Sequence, residues 1–221
     1  MKPIKSSIKL IVIIILPVFI LMTSIRALIT PLFPQIEYRL PGFPPDEYGF
    51  TTQDRLHWSK YAIDYLTNDE GLNYLGDLTF DDGTALFNER ELSHMLDVKM
   101  VVRGMIKAWI ATLAILILVA VFAYQIKSKK DFWRAIEIGG WTTIGIIFMI
   151  LIMVLTSFEA LFVGFHKIFF IGDTWLFYTS DTLIRLFPEK FWSDAFIGIG
   201  FLSLLGGAIA IILGKKITQK R

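Results

Sequence analysis

Three histidines are the only side chains here that ordinarily titrate near neutral pH, and the chain has no cysteine. Without cysteine there can be no disulfide, thiolate metal site or thiol nucleophile. Two of the histidines have unusual neighbours. His94 lies in Glu91-Leu-Ser-His-Met-Leu-Asp97-Val-Lys99, just before an apolar run. His166 lies in the stretch 164–192, rich in Phe and holding two Trp and one Tyr, between two apolar segments. Connecting loops are ordinarily polar, so this one suits a membrane surface and an apolar lining. An imidazole in such a place can act as a general acid or base. The plain alternative is a structural, hydrogen-bonded histidine; acidic neighbours and the aromatic loop argue for chemistry. His57, in a polar stretch, reads as a surface or cap histidine.

Other chemistries find no foothold. The sequence holds no Gly-x-Ser-x-Gly elbow, no His-Glu-x-x-His and no Gly-rich phosphate loop. The histidines lack close ligand spacing, so neither a metal nor a cofactor is expected. A proton or ion pump needs ionisable residues near the bilayer midplane. Arg26, Arg103, Lys107, Glu137 and Glu159 all fall near the ends of apolar segments instead.

Composition sets the elements that must position the histidines. With 54% hydrophobic residues and a mean hydropathy of +0.58, the chain exceeds soluble norms and reads as a membrane protein. The net charge of +2 comes from short clusters, which gives no reason to expect nucleic acid. Four segments are long and apolar enough to cross about 30 Å of hydrocarbon. Residues 1–29 form an N-terminal tail and a first span, retained rather than cleaved, because Ser24-Ile25-Arg26-Ala27 is a poor processing site. The other spans cover 104–126, 136–163 and 195–214. Gly198, Gly200, Gly206 and Gly207 on the last allow close helix approach. Basic residues gather at 2–9, in the loop 127–135 and in the tail 215–221. Four spans put these on one side, cytoplasmic by the positive-inside rule. Residues 30–103 and the aromatic loop 164–194 then lie outside.

The region 30–103 has thirteen acidic and six basic residues and reads as a small folded cap leading into the second span. Thr51 with Asp54 predicts a capping box opening a helix of roughly 51–67. Asp82-Gly83 between short alternating runs predicts a hairpin. Asn88 with Glu91 opens another helix that nothing stops before the second span, and Phe87 with Leu92 forms its hydrophobic staple. The expected fold is thus mainly α in a membrane: four transmembrane helices with a small extracellular α/β cap between helices 1 and 2.

The two histidine-bearing stretches, FHKIFFIGDTWLFYTSDTLIRLFPEKFW and ELSHMLDVK, resemble the lipoprotein intramolecular transacylase (Lit) family of Gram-positive bacteria over essentially the whole chain. The resemblance implies an enzyme that moves the sn-2 acyl chain of a diacylglyceryl lipoprotein onto its N-terminal cysteine α-amine, giving the lyso form. It puts the family's two histidines at His94 and His166. One imidazole would accept the ammonium proton and the other protonate the glyceryl oxygen, through an eight-membered cyclic intermediate. Phe165, Phe169, Phe170, Trp175 and Phe177 would line the substrate pocket. Arg26, Arg185 and Tyr178 are candidate oxyanion donors, and Asp97 and Asp181 could orient the histidines. The expected partners are the lipoprotein and membrane lipids, with the protein a monomer. The competing readings are a non-catalytic scaffold that binds lipid or lipoprotein and an intermolecular acyltransferase.

Overall fold

The computed structural model describes residues 2–219; Met1, Lys220 and Arg221, parts of the expected tails, lie outside them. It comprises α1 (Lys2–Leu28), α2 (Leu32–Glu37), α3 (Thr52–Thr67), α4 (Asn73–Gly76), α5 (Glu89–Gln125), α6 (Lys129–Phe169), α7 (Thr182–Leu186) and α8 (Glu189–Gln219). Four of these, α1, α5, α6 and α8, are long and apolar enough to cross a membrane. At 1.5 Å per residue, the 37 residues of α5 and 41 of α6 exceed what a bilayer needs. Each therefore carries a polar extension of its span.

The chain divides into two compact units. The first contains residues 1–27, 105–155 and 197–221. Its apolar core includes Val12, Leu16, Ile20, Leu116, Phe132 and Ala210. Small residues bring its helices together. A Cβ added at Gly140 would stand 2.7 Å from the Gly207 carbonyl oxygen, and one at Gly206 would stand 2.8 Å from Ile20 Cγ2. Such contacts replace the hydrophobic drive that lipid cannot supply. A buried hydroxyl pair, Ser203 Oγ donating to Ser24 Oγ at 2.9 Å, adds a polar tie. At the other end of α1, Lys9 pairs with Asp131 at 2.7 Å.

The second unit holds residues 28–104 and 156–196. Ala62, Tyr65, Leu75, Leu86, Phe87, Met95, Leu183 and Leu186 form its core. The capping box is present, with Asp54 N–H donating to Thr51 Oγ1 at 3.2 Å and Thr51 N–H to Asp54 Oδ2 at 2.8 Å. The expected α/β cap is not found: among the described residues this unit has no strand. Gly83 does turn, at φ +82°, and Asp82 ties down Thr84. The paired stretch stops at a single bridge, Thr79 with Ala85. Around it Phe80 N–H donates to Thr84 O at 2.8 Å and Leu86 N–H to Leu78 O at 2.9 Å, a minimal hairpin whose arms are too short to form strands or a sheet. Residues 73–76 fold as a helical turn.

A buried acid group in this unit gives a pH expectation. The Glu37 side chain is almost wholly enclosed and hydrogen-bonds to Asp194, which also receives Lys190 Nζ; Glu37 Oε1 has no partner. Burial first, then the neighbouring Asp194 carboxylate, raises Glu37 from 4.5 to about 7, so folding retains a proton that the unfolded chain releases. Stability should therefore fall as pH rises from about 4.5 to 7 and level off above. Thermal unfolding in detergent across that range checks this. Glu37→Gln should flatten the curve, and an equally steep curve in the variant would assign the effect elsewhere.

Candidate active site

Two irregular features of the second unit create the site. The first is a break in α6 at Ser157 (φ −157°, ψ 55°), which gives the segment from residue 158 to Phe169 its own direction. That segment carries Phe162, Phe165 and His166. The second is the chain from Phe170 to Asp181, which turns at Gly172 (φ +74°) and brings Trp175 and Phe177 against the histidines.

His94 and His166 meet with ring centroids 6.1 Å apart and planes inclined by only 20°. Each is 8% exposed. Phe170 stands 5.0 Å from His94 and 5.5 Å from His166; Phe177 lies 5.3 Å from His94, and Trp175 4.8 Å from His166. His166 Nδ1 lies 2.8 Å from the Phe162 carbonyl. A carbonyl only accepts, so this Nδ1 carries the proton and Nε2 keeps its lone pair. His94 differs: its Nδ1 is buried and has no partner within the protein. An enclosed polar atom left unpaired costs free energy unless something arrives to meet it. The pair therefore presents a fixed imidazole acceptor beside a ring whose hydrogen bonding is incomplete.

The clamp holding the aromatic loop in place comes from the start of α5. Glu91 Oε2 accepts from Asn88 N–H at 2.8 Å and Asn88 Oδ1 from Glu91 N–H at 3.0 Å, the expected capping box. The other oxygen, Glu91 Oε1, accepts from Leu183 N–H at 2.6 Å and so fastens α7. Thr182 Oγ1 donates to Leu86 O, Asn88 Nδ2 to Asp181 Oδ1, and Arg90 Nη1 to Leu176 O. The residues at 86–91 thus hold the middle and the C-terminal end of the segment that covers His94.

The other sequence candidates take varied places. Phe170, Trp175 and Phe177 surround the histidines. Phe165 touches His166 at 5.6 Å, while Phe169 packs on Phe165 with its ring tilted by 42° and is half exposed. Asp181 meets neither histidine: its oxygens take the Asn88 amide and the Tyr178 N–H. No hydrogen bond or ion pair joins Asp97 to His94. Arg185 is committed to Asp46 at 3.1 Å and to Tyr48 O, with its guanidinium 3.5 Å over Phe50. Burial of Asp46 is the largest single influence and opposes its charge, but the Arg185 bond, the Phe50 N–H and the charges of Arg185 and Arg55 together hold the carboxyl below its usual range. Tyr178 is 70% exposed beneath Arg90. Arg26 ends α1 in the other unit. Sequence reasoning missed Phe162, whose ring lies 4.2 Å from His166, and the second bond of Glu91. The i,i+4 spacing of Phe162 and His166 was a usable signal; the Glu91–Leu183 bond spans 92 residues and left none. Among the described residues no group of three His, Cys, Asp or Glu comes together as a metal site.

Comparison with known proteins gives the family and the fold. The family model for lipoprotein intramolecular transacylase Lit matches residues 10–192. An uncharacterized protein of Aquifex aeolicus (strain VF5) is 31% identical over 218 residues, covering 97% of this chain and 98% of that protein. The in meso structure of the membrane integral lipoprotein intramolecular transacylase Lit from Bacillus cereus superposes with a TM-score of 0.83. It is 21% identical, with 100% of this chain and 98% of that one covered. Two structures of the same Bacillus cereus protein, with a histidine replaced by arginine or by alanine, give 0.73 at 21% identity, covering 98% of this chain and 92% and 94% of theirs. At that identity the likeness speaks for the fold. The family match reaches further: this chain belongs to the Lit family of lipoprotein intramolecular transacylases and is a membrane-embedded acyltransferase.

Proposed function

We propose that His94 and His166 are the general acid–base pair of an isomerising acyl transfer. The substrate is a diacylglyceryl lipoprotein, and its sn-2 acyl group passes to the α-amine of the N-terminal cysteine. The observation that carries the reading is the pair itself: two enclosed imidazoles, 6.1 Å apart, one with its Nδ1–H fixed by a carbonyl and one with an unpaired nitrogen.

The α-ammonium, with an ordinary pKa of about 8, must lose a proton before it can attack. His166 Nε2 suits the base, because Phe162 O keeps the other nitrogen protonated. As the C–N bond forms and the ester C–O bond breaks, the glyceryl oxygen needs a proton, and in this reading a protonated His94 supplies it. The ammonium proton leaves to solvent. One further proton then passes from nitrogen to His166 and one from His94 to the glyceryl oxygen. The enzyme is restored when His166 returns its proton to His94 directly or through water. Nucleophile and ester belong to one molecule and close an eight-membered ring, so no acyl-enzyme is needed. Medium rings form reluctantly; the restraint falls to the aromatic wall of Phe165, Phe170, Trp175 and Phe177. In this reading both termini are cytoplasmic and the histidines face outward, from the distribution of Lys and Arg. The protein works as a monomer in the lipid bilayer, without a cofactor.

Tandem mass spectrometry of a synthetic diacyl lipopeptide incubated with the purified protein tests this. Total mass should stay constant while one acyl group moves from the glyceryl fragment to the cysteine amine. Fragments that never change, with folded protein, would leave a lipoprotein-binding scaffold. Transfer dependent on added phospholipid, with lysophospholipid appearing, would make the enzyme an intermolecular acyltransferase.

A further inference from the structure

Next to the histidines runs a groove that the acyl transfer does not use. It has a volume of about 460 Å³ and is lined by Asn88, Glu89, Arg90, Tyr178 and Asp181. That volume lies in the range of ligand pockets. The groove is attached to the site on both walls. Arg90 is four residues before His94, one helical turn or about 6 Å away along α5. Tyr178 follows Phe177, which packs on His94.

Its polar groups are only partly used. Of the Arg90 guanidinium, only Nη1 is hydrogen-bonded, to Leu176 O at 3.1 Å. No hydrogen bond or ion pair holds Glu89, and the Tyr178 hydroxyl is likewise unpaired, with its ring 70% exposed. A phosphate would meet the carboxylates of Glu89 and Asp181, and an acyl chain would meet too many polar groups. A peptide main chain fits both signs: its carbonyls can accept from Arg90 and Tyr178, its amides can donate to Glu89, and Tyr178 offers a flat apolar face.

Resting on the acyl-transfer reading, we infer that this groove binds the polypeptide of the lipoprotein just beyond its lipidated cysteine, with Arg90 as the main contact. With the cysteine amine at His94 and His166, extended chain at about 3.3 Å per residue places the second to fourth residues along the groove. The enzyme then reads backbone, which every lipoprotein shares, and Glu89 biases it against acidic residues there.

The test compares diacylglyceryl-cysteine amide with the same compound extended by two and by four residues. Wild type should gain roughly tenfold in kcat/KM on extension, as expected for one or two hydrogen bonds to a charged group, mostly through KM. Arg90→Gln should lose most of that gain. If Arg90 served only to tie down Leu176, all three substrates would slow by the same factor and the gain would persist, overturning the inference. Wild type indifferent to length would overturn it equally. Glu89→Lys, which sacrifices no hydrogen bond, should shift preference toward peptides acidic at the second to fourth residues; an unchanged preference counts against the groove. If no compound of any length is isomerised, the acyl-transfer reading has failed, and the groove assignment goes with it.

Discussion

His166→Asn should slow acyl transfer by roughly 10²–10⁴-fold, and His94→Asn by a similar factor, because each removes one half of a proton-transfer pair. Asparagine keeps polarity and approximate bulk but offers no lone pair on a basic nitrogen. At His166 the loss falls on the base. The Nδ1–H bond to Phe162 O fixes which of the two His166 nitrogens would be basic, and asparagine cannot reproduce that lone pair. At His94 the loss falls on the ring whose Nδ1 has no protein partner. Because the two act in one reaction, the double variant should be only slightly slower than the slower single variant. Initial rates of the fragment shift, measured on protein with an unaltered unfolding temperature, decide the matter. A single variant that keeps more than a tenth of wild-type rate would rule out its residue as half of the pair.

A second large effect is expected at Glu91, which touches no substrate. Its carboxylate is wholly enclosed and accepts from Leu183 N–H and Asn88 N–H. Glu91→Ala strands one buried donor, Leu183 N–H, at about 1–3 kcal/mol, and removes the cap from the half-exposed Asn88 N–H, at about 0.5–2 kcal/mol. The combined cost, roughly 1.5–5 kcal/mol, is a large share of ordinary domain stability. The damage should be local first. With α7 released, the segment 170–181 loses its anchor, and Phe177 and Trp175 leave the histidines. Thermal unfolding and limited proteolysis between residues 171 and 181 would register both effects. Glu91→Gln, which retains one carbonyl oxygen, should lie between the alanine variant and wild type. If the alanine variant unfolds at the wild-type temperature and its loop resists protease, the clamp is not what holds the loop.

The contrast between Glu91 and the histidines shows where the sequence alone suffices. Four long apolar helices follow from hydropathy and length, since a bilayer accepts little else. The Thr51–Asp54 and Asn88–Glu91 caps were legible because the two halves of a capping box lie three residues apart. The continuity of α5 from cap into span followed from the lack of any stop signal after Asn88. The histidine stretches drew notice for a local reason too, large aromatics where a loop would be polar.

What needed the tertiary structure is non-local. Asp82-Gly83 makes its turn and a minimal antiparallel pairing, yet no sheet grows from it, because the arms are too short and the surrounding helices supply the core. Asp181 and Arg185 looked available by type, but partners distant in the chain, Asn88 and Asp46, already occupy them. The break at Ser157 has no proline or glycine pair to announce it, and it directs the His166 segment within its unit. The meeting of the histidines is set by that break and by the Glu91 clamp. Local sequence determines which groups exist and which helices carry them; which groups remain unpaired is decided only when distant segments compete for the same hydrogen bonds.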